Sequence, residues 1–205
     1  MDYVEPLEAI IPGTQGRILG VLARTDSELT MRRVAQLAGI SPNRAVAVLR
    51  RLVSLGLVER REAGAAALVR LRGENEAARV IRKLVDLRGS VLERLRLEAD
   101  EIEPSPASLV VFGSFATGQA RVGSDLDVLA VHPRGVPADD PRWADSLGQW
   151  CDRAAGISGN PVNLVLASVE ELPDLLDRPG SVWQAARRDG VLLLGRDLGD
   201  LGAGR

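Results

Sequence analysis

Apolar residues recur at helical spacing in the first third of the chain and at strand spacing further on, and this change of period divides it. Between residues 14 and 25, Ile18, Leu19, Val21 and Leu22 form one face of a helix. Met31–Leu37 repeats the pattern with Val34, Ala35 and Leu37 inward, and Thr30 stands where an N-cap belongs. Ala38-Gly39-Ile40 reads as a tight turn. Ser41 and Pro42 then suit the N-cap and first position of a third helix, which runs to Leu55, closes at Gly56 and buries Ala45, Leu49 and Leu52. Residues 57–61 and 66–71 read as two strands around a loop at 62–65. Residues 74–103 are charged and helical, with Gly89 as a point of bending or division, and Pro104-Ser105-Pro106 ends them.

Beyond the prolines, Leu109-Val110-Val111-Phe112 suits a buried strand, and Gly113 lets the backbone turn sharply after it. Asp125 to Val131 reads as a second strand. Trp143, Leu147, Trp150, Cys151 and Ala154 share one face of a helix over 141–155, a core stripe rather than a stacking platform for bases. A strand over 190–195 follows, and the Gly-rich tail from Asp197 is expected to fray.

The first of these turns and the second strand carry the candidate chemistry. Ser114 offers a hydroxyl and an N–H, and if a helical turn opens there, its unpaired amides favour an anionic phosphate. Along a strand, side chains alternate, so Asp125 and Asp127 project to one side while Leu126 and Val128 enter the core. Two carboxylates so close repel unless a cation lies between them. Mg²⁺ (or Mn²⁺) fits, being held by one or two carboxylates together with substrate phosphates. The competing reading is a surface hairpin with solvated aspartates, which the low strand preference of Asp disfavours.

Gly113-Ser114, ten residues, then Asp125-Leu126-Asp127, with Ser124 before the pair, resembles the signature of DNA polymerase β-like nucleotidyltransferases, especially the minimal prokaryotic ones. The resemblance covers roughly 108–196. It implies a nucleoside triphosphate held at the Gly-Ser turn, two divalent ions on the Asp-x-Asp pair, and a third carboxylate on a later strand. At that third position, in Pro161-Val162-Asn163-Leu164-Val165, this chain has Asn163. An amide can lend a carbonyl oxygen to a cation but can neither neutralise it nor accept a proton from an attacking hydroxyl. Three readings stay open: an active enzyme with a reduced site, one that recruits Glu170, Glu171 or a substrate group, and a domain that binds without turnover. Trp183, Ala186 and the strand at 190–195 are similar to the closing helix and strand of the small transferases.

Residues 12–73 resemble the winged helix-turn-helix domains of bacterial regulators, through the Ile40-Ser41 entry and the Leu55-Gly56-Leu57-Val58 exit of the third helix. That resemblance implies DNA binding, with the third helix in the major groove and the wing on the backbone. Asn43, Arg44, Ala47 and Arg51 would face outward on the helix, with Arg60, Arg61 and Arg70 near the wing. Asn43 and Arg44 suit base readout, whereas the other arginines suit phosphates. The alternative is a winged domain for dimerisation or protein contact.

Charge agrees with this division. Residues 1–73 hold 11 Arg against 7 acidic residues, whereas the remainder is net acidic, within a total of −2. Aromatic residues are 3%, too few for nucleic-acid binding to rest on stacking. Cys151 is the single cysteine, so no intrachain disulfide forms, and His132 is the single histidine, which excludes a multi-histidine metal site. No apolar run reaches a membrane span, and no leader pattern is visible. A cytoplasmic protein is expected, and one lysine against many arginines suggests a GC-rich bacterial genome.

The expected class is therefore α+β: a winged helix-turn-helix over 1–73, a helical connector over 74–106 able to pair with its copy in a homodimer, and a nucleotidyltransferase-like α/β domain with a mixed sheet over 107–205. The expected function is binding of NTP with Mg²⁺ and transfer of NMP to a protein or nucleic-acid acceptor, beside DNA binding by the head. The alternatives are a transcription regulator with an impaired nucleotidyltransferase-like sensor, and an antitoxin-type transferase acting on a HEPN-type partner.

Overall fold

The computed structural model describes residues 1–64, 66–137 and 139–203. The chain forms two compact units, Glu5–Leu87, and Met1–Val4 together with the chain from Arg88 onward.

In the first unit, α1 (Pro6–Ile10) and α2 (Thr14–Ala23) precede β1 (Leu29–Thr30), α3 (Met31–Leu37), α4 (Pro42–Ser54), β2 (Val58–Ala63), β3 (Ala66–Leu71) and α5 (Glu76–Val85). Thr30 and Gly56 end their helices as predicted, whereas the Ser41 side chain does not cap. The Thr30 side chain accepts from the Arg33 N–H at 3.1 Å. Ser41 holds the N-cap position with extended backbone, but its side chain makes no capping bond. Gly56, at φ 72°, closes α4 in a left-handed turn in which Leu57 N–H donates to Leu52 O at 3.1 Å. Ile18, Leu22, Val34, Ala45, Leu49 and Leu52 are fully or almost fully buried in one core with Val58, Val69 and Leu71. The wing is tighter than the sequence suggests: β2 and β3 pair out to Ala63 opposite Ala66, and Ala65 of the expected loop lies outside the described residues. β1, two residues long, adds a third antiparallel strand on β3.

The second unit is built on β4 (Ser108–Phe112), β5 (Leu126–Val131), β6 (Val162–Ala167) and β7 (Val191–Gly195), in the order β6-β5-β4-β7. β4 lies antiparallel to β5 and β7, while β5 and β6 run parallel, joined through α8 (Pro141–Ser158). The sheet is thus mixed, as expected. On one face Val110, Phe112, Leu129 and Val131 pack with α9 (Leu172–Asp177), α10 (Val182–Asp189) and α11 (Leu198–Ala203), through Leu172, Leu176, Trp183, Ala186, Leu198 and Leu201.

Four further features differ from the sequence pattern. Leu37, expected inward on α3, is 47% exposed. The stretch 74–103 divides at Asp86, the C-cap of α5, rather than at Gly89, which lies inside the next helix, α6 (Leu87–Ala99). The tail folds over its described length: Leu198 and Leu201, three residues apart, drop into the core and turn 198–203 into α11. Asp125 precedes β5 instead of opening it. Cys151 is partly buried in α8, and desolvation, aided by Asp152, pushes its thiol up to about 11, so it is protonated at neutral pH.

Candidate functional site

The site grows from the register of three strands. Phe112, at the end of β4, is paired with Asp127, and Asp127 with Asn163 on β6. Directly paired residues share a face, so the turn after Phe112, the Asp127 carboxylate and the Asn163 amide converge. β5 is buried throughout except at Asp127, which is half-buried.

Gly113 follows with φ 68°, in the left-handed region that glycine adopts without strain. It opens α7 (Gly113–Ala116), one turn long, and a side chain there would run into Asp127, its Cβ clashing with Oδ2 and lying 3.3 Å from Cγ. The glycine is what lets the turn's backbone lie against the carboxylate. Its own N–H and those of Ser114 and Phe115 come first in the helix and have no intrahelical acceptor. Gly113 and Ser114 are half-buried, and the turn is fixed from behind: Gln119 N–H donates to Ser114 O at 2.7 Å, and Thr117 Oγ1 donates to Gly113 O at 3.1 Å.

Asp125 is exposed and held through its neighbours. Asn160, 3% exposed, donates from Nδ2 to Ser124 O at 2.6 Å, and Leu126 N–H donates to Pro161 O at 2.7 Å. The turn after α8 thereby sets the backbone on either side of Asp125. Sequence reasoning assigned Asn160 no role; its signal was a polar residue placed directly before a proline at a strand entry.

Asn163 is exposed and donates from Nδ2 to Asp127 Oδ1 at 2.9 Å. The amide therefore does for Asp127 what a cation would do in a site of carboxylates: it places positive hydrogen density on the anion. Asp127 and Asp125, two residues earlier, offer hard carboxylate oxygens of the kind a divalent cation completed by phosphate oxygens takes. Among the described residues, no three His, Cys, Asp or Glu side chains gather as a metal cluster.

Glu170 and Glu171 do not join this group. Both lie beyond the end of β6, where they line a cavity of about 600 Å³ together with Leu164, Leu166, Trp143 and Leu147. Leu164 and Leu166 alternate with Asn163, so this cavity belongs to the opposite face of the sheet. Glu171 is occupied there, accepting from Ser168 N–H and Oγ, bonds that hold its carboxyl below the usual range.

In the first unit, Asn43, Arg44, Ala47 and Arg51 all lie on the exposed side of α4, opposite Ala45, Leu49 and Leu52. Arg50, which sequence reasoning passed over, shares that exposed side one turn beyond Ala47. The wing arginines are engaged. Arg61 donates to both carboxylate oxygens of Glu28, Arg60 pairs with Glu62, and Arg70 with Glu59.

A three-helix core with a β-wing, and a mixed sheet presenting a Gly-Ser turn to the strand after Asp125, are the features of a winged helix joined to a nucleotidyltransferase fold. Sequence comparison gives the same division. Residues 11–67 match the MarR family and residues 92–178 match the family described as nucleotidyltransferase domain. The chain therefore carries a MarR-type winged-helix domain followed by a nucleotidyltransferase domain. Similar solved structures include a mutant of the toxin-antitoxin MntA-HpeT, at 15% identity over 54% of this chain and 80% of that one, with a TM-score of 0.37. A toxin-antitoxin with AMP-PNP is 17% identical over 54% of this chain and 80% of that one, at 0.36. NadR in complex with 4-hydroxyphenylacetate is 26% identical over 45% of this chain and 69% of that one, at 0.34. No curated protein sequence matches. No described helix is long and apolar enough to cross a membrane.

Proposed function

We propose that the second unit binds a nucleoside triphosphate with a single Mg²⁺ and transfers NMP slowly to an acceptor hydroxyl, the new oxygen–phosphorus bond replacing the one to the β-phosphate, with pyrophosphate leaving and the hydroxyl proton passing to solvent, while the first unit holds DNA through α4. The observation that carries this reading is the register Phe112–Asp127–Asn163, which sets the Gly113-Ser114 turn against a carboxylate. The backbone amides opening α7 and the Ser114 hydroxyl receive the terminal phosphates. Asp125 and Asp127 hold the ion, with Asn163 orienting Asp127 through its amide hydrogen. Mg²⁺ bound there supplies charge neutralisation at the triphosphate oxygens. None of the side chains gathered at the turn is a third carboxylate able to take the acceptor's proton, and slow transfer follows.

Calorimetric titration with ATP, GTP, CTP and UTP in Mg²⁺ tests the reading. Binding of at least one is expected, with affinity reduced on the order of a hundredfold in Asp125→Ala. No binding of any of the four, or an Asp125→Ala variant indistinguishable from the parent, contradicts it.

For DNA, the ion pairs rank the arginines. Among the described residues Arg44 pairs with no carboxylate, whereas Arg61 must leave Glu28 before it can reach a phosphate. Arg44→Ala, at a base-reading position, is therefore expected to weaken duplex binding more than Arg61→Ala, whereas Arg61→Ala lowers the salt slope, by at most about one. Fluorescence anisotropy over a salt series reads both, and equal losses at the two positions would contradict the ranking.

A further inference from the structure

The winged-helix unit, Glu5–Leu87, is an insertion between two pieces of the other unit, so the chain crosses between them at Val4–Glu5 and at Leu87–Arg88. On the far side of each crossing, a side chain lands on the same short helix. Tyr3 packs edge-on against Phe115 of α7, with centroids 4.6 Å apart and planes at 67°. Its backbone N–H donates to Ala120 O at 2.9 Å and its hydroxyl donates to Ser158 O. Arg88, the first residue after the second crossing, donates from Nε to Phe115 O at 2.7 Å and from Nη2 to Ala116 O.

α7 is four residues long, too short to persist by its own hydrogen bonds. Its last carbonyls need outside donors, and a cation at a helix C-terminus is favourable. Arg88 supplies both. Phe115, fully buried, is the helix's anchor, and Tyr3 forms one wall of its socket. The placement of Gly113 and Ser114 thus depends on two side chains that sit within two residues of the winged-helix unit.

We propose that Tyr3 and Arg88 are positioning residues that couple the winged-helix unit to the Gly113-Ser114 turn. Nucleotide at the turn tightens α7, and through these two side chains it steadies the segments where the chain enters and leaves the winged-helix unit. By linkage, DNA held by that unit changes nucleotide affinity by the same factor as nucleotide changes DNA affinity. This inference rests on the nucleotide-binding reading above.

Hydrogen exchange of the full chain, with and without equimolar ATP, GTP, CTP and UTP plus Mg²⁺, tests it without requiring a known operator. In the parent, nucleotide is expected to slow exchange at 113–117 and also, on the order of fivefold, at 5–10 and 82–87. Arg88→Ala at saturating nucleotide keeps the protection at 113–117 and loses the response at 82–87. Tyr3→Leu loses it at 5–10, and Tyr3→Phe, which keeps the ring against Phe115, retains it. Should Arg88→Ala fail to fold, Arg88→Lys keeps the cation without the paired donors to Phe115 and Ala116 and shows a diminished response. A purely structural role would lower stability while leaving the ratio of bound to free exchange intact. Protection confined to 113–117 in the parent, or a full response in Arg88→Ala or Arg88→Lys and in Tyr3→Leu, overturns the coupling. Absence of protection at 113–117 overturns the nucleotide reading itself, and the coupling with it.

Discussion

A Gly113→Ala variant is expected to lose nucleotide binding and to unfold more easily than the parent. Two independent costs meet at this position. The backbone sits at φ 68°, a conformation that costs a residue with a Cβ about 1 kcal/mol or more. The new methyl would also collide with the Asp127 carboxylate and must push it aside. Asp127 cannot yield without leaving the Asn163 amide at 2.9 Å. The turn and the carboxylate therefore move apart, and the phosphate cradle separates from the ion site. Thermal denaturation should show a loss of roughly 1–3 kcal/mol, and nucleotide affinity should fall on the order of a hundredfold. Gly148→Ala in α8, where an added Cβ meets nothing, is the control: it should leave nucleotide affinity unchanged and, as alanine replaces glycine in a helix interior, raise stability by about 1 kcal/mol. A Gly113→Ala protein that bound nucleotide like the parent would show that the turn does not hold phosphate.

Asn163→Asp is expected to have the opposite sign with metal and the same sign without it. Asp127 and Asn163 are direct partners on parallel strands, so an aspartate at 163 would oppose one carboxylate to another in place of an amide donor. Without divalent cations the two repel, and the variant should be less stable by about 1 kcal/mol. The deficit should therefore shrink as the pH is lowered through the carboxylate range. Mg²⁺ reverses the effect, because three carboxylates hold a cation better than two and an amide. With a proton acceptor restored, NMP transfer from an α-labelled NTP should rise on the order of a hundredfold over the parent. A variant as stable as the parent without metal, and no faster with it, would show that position 163 lies outside the site.

How much of this was legible in the sequence depended on the range of the interaction that carries it. The helix ends at Thr30, Ser41 and Gly56 follow from neighbours within one turn, and the sequence displays those directly. Period two placed Leu126 and Val128 in the core and Asp127 beside the turn. It did not show that β5 starts only at Leu126, because the preceding backbone is fixed by Asn160 and Pro161, more than thirty residues away. Arg61 looked free because Glu28, its partner, lies 33 residues earlier on the other side of the helix-turn-helix. The tail from Asp197 looked frayed because glycine weakens helices locally. Leu198 and Leu201 overrode that weakness by burial against α9 and α10, a tertiary gain with no local mark. Glu170 and Glu171 were near Asn163 in sequence but beyond the strand's end in space, with their cavity on the other face.

The most direct test of the account is the number of divalent ions held at the site with nucleotide bound. Titration of Mn²⁺, followed by electron paramagnetic resonance in the presence of saturating NTP, counts them. Two carboxylates and an amide predict one tightly held ion in the parent, none in Asp127→Ala and two in Asn163→Asp. Two tight ions in the parent, or one that survives in Asp127→Ala, would contradict the site described here.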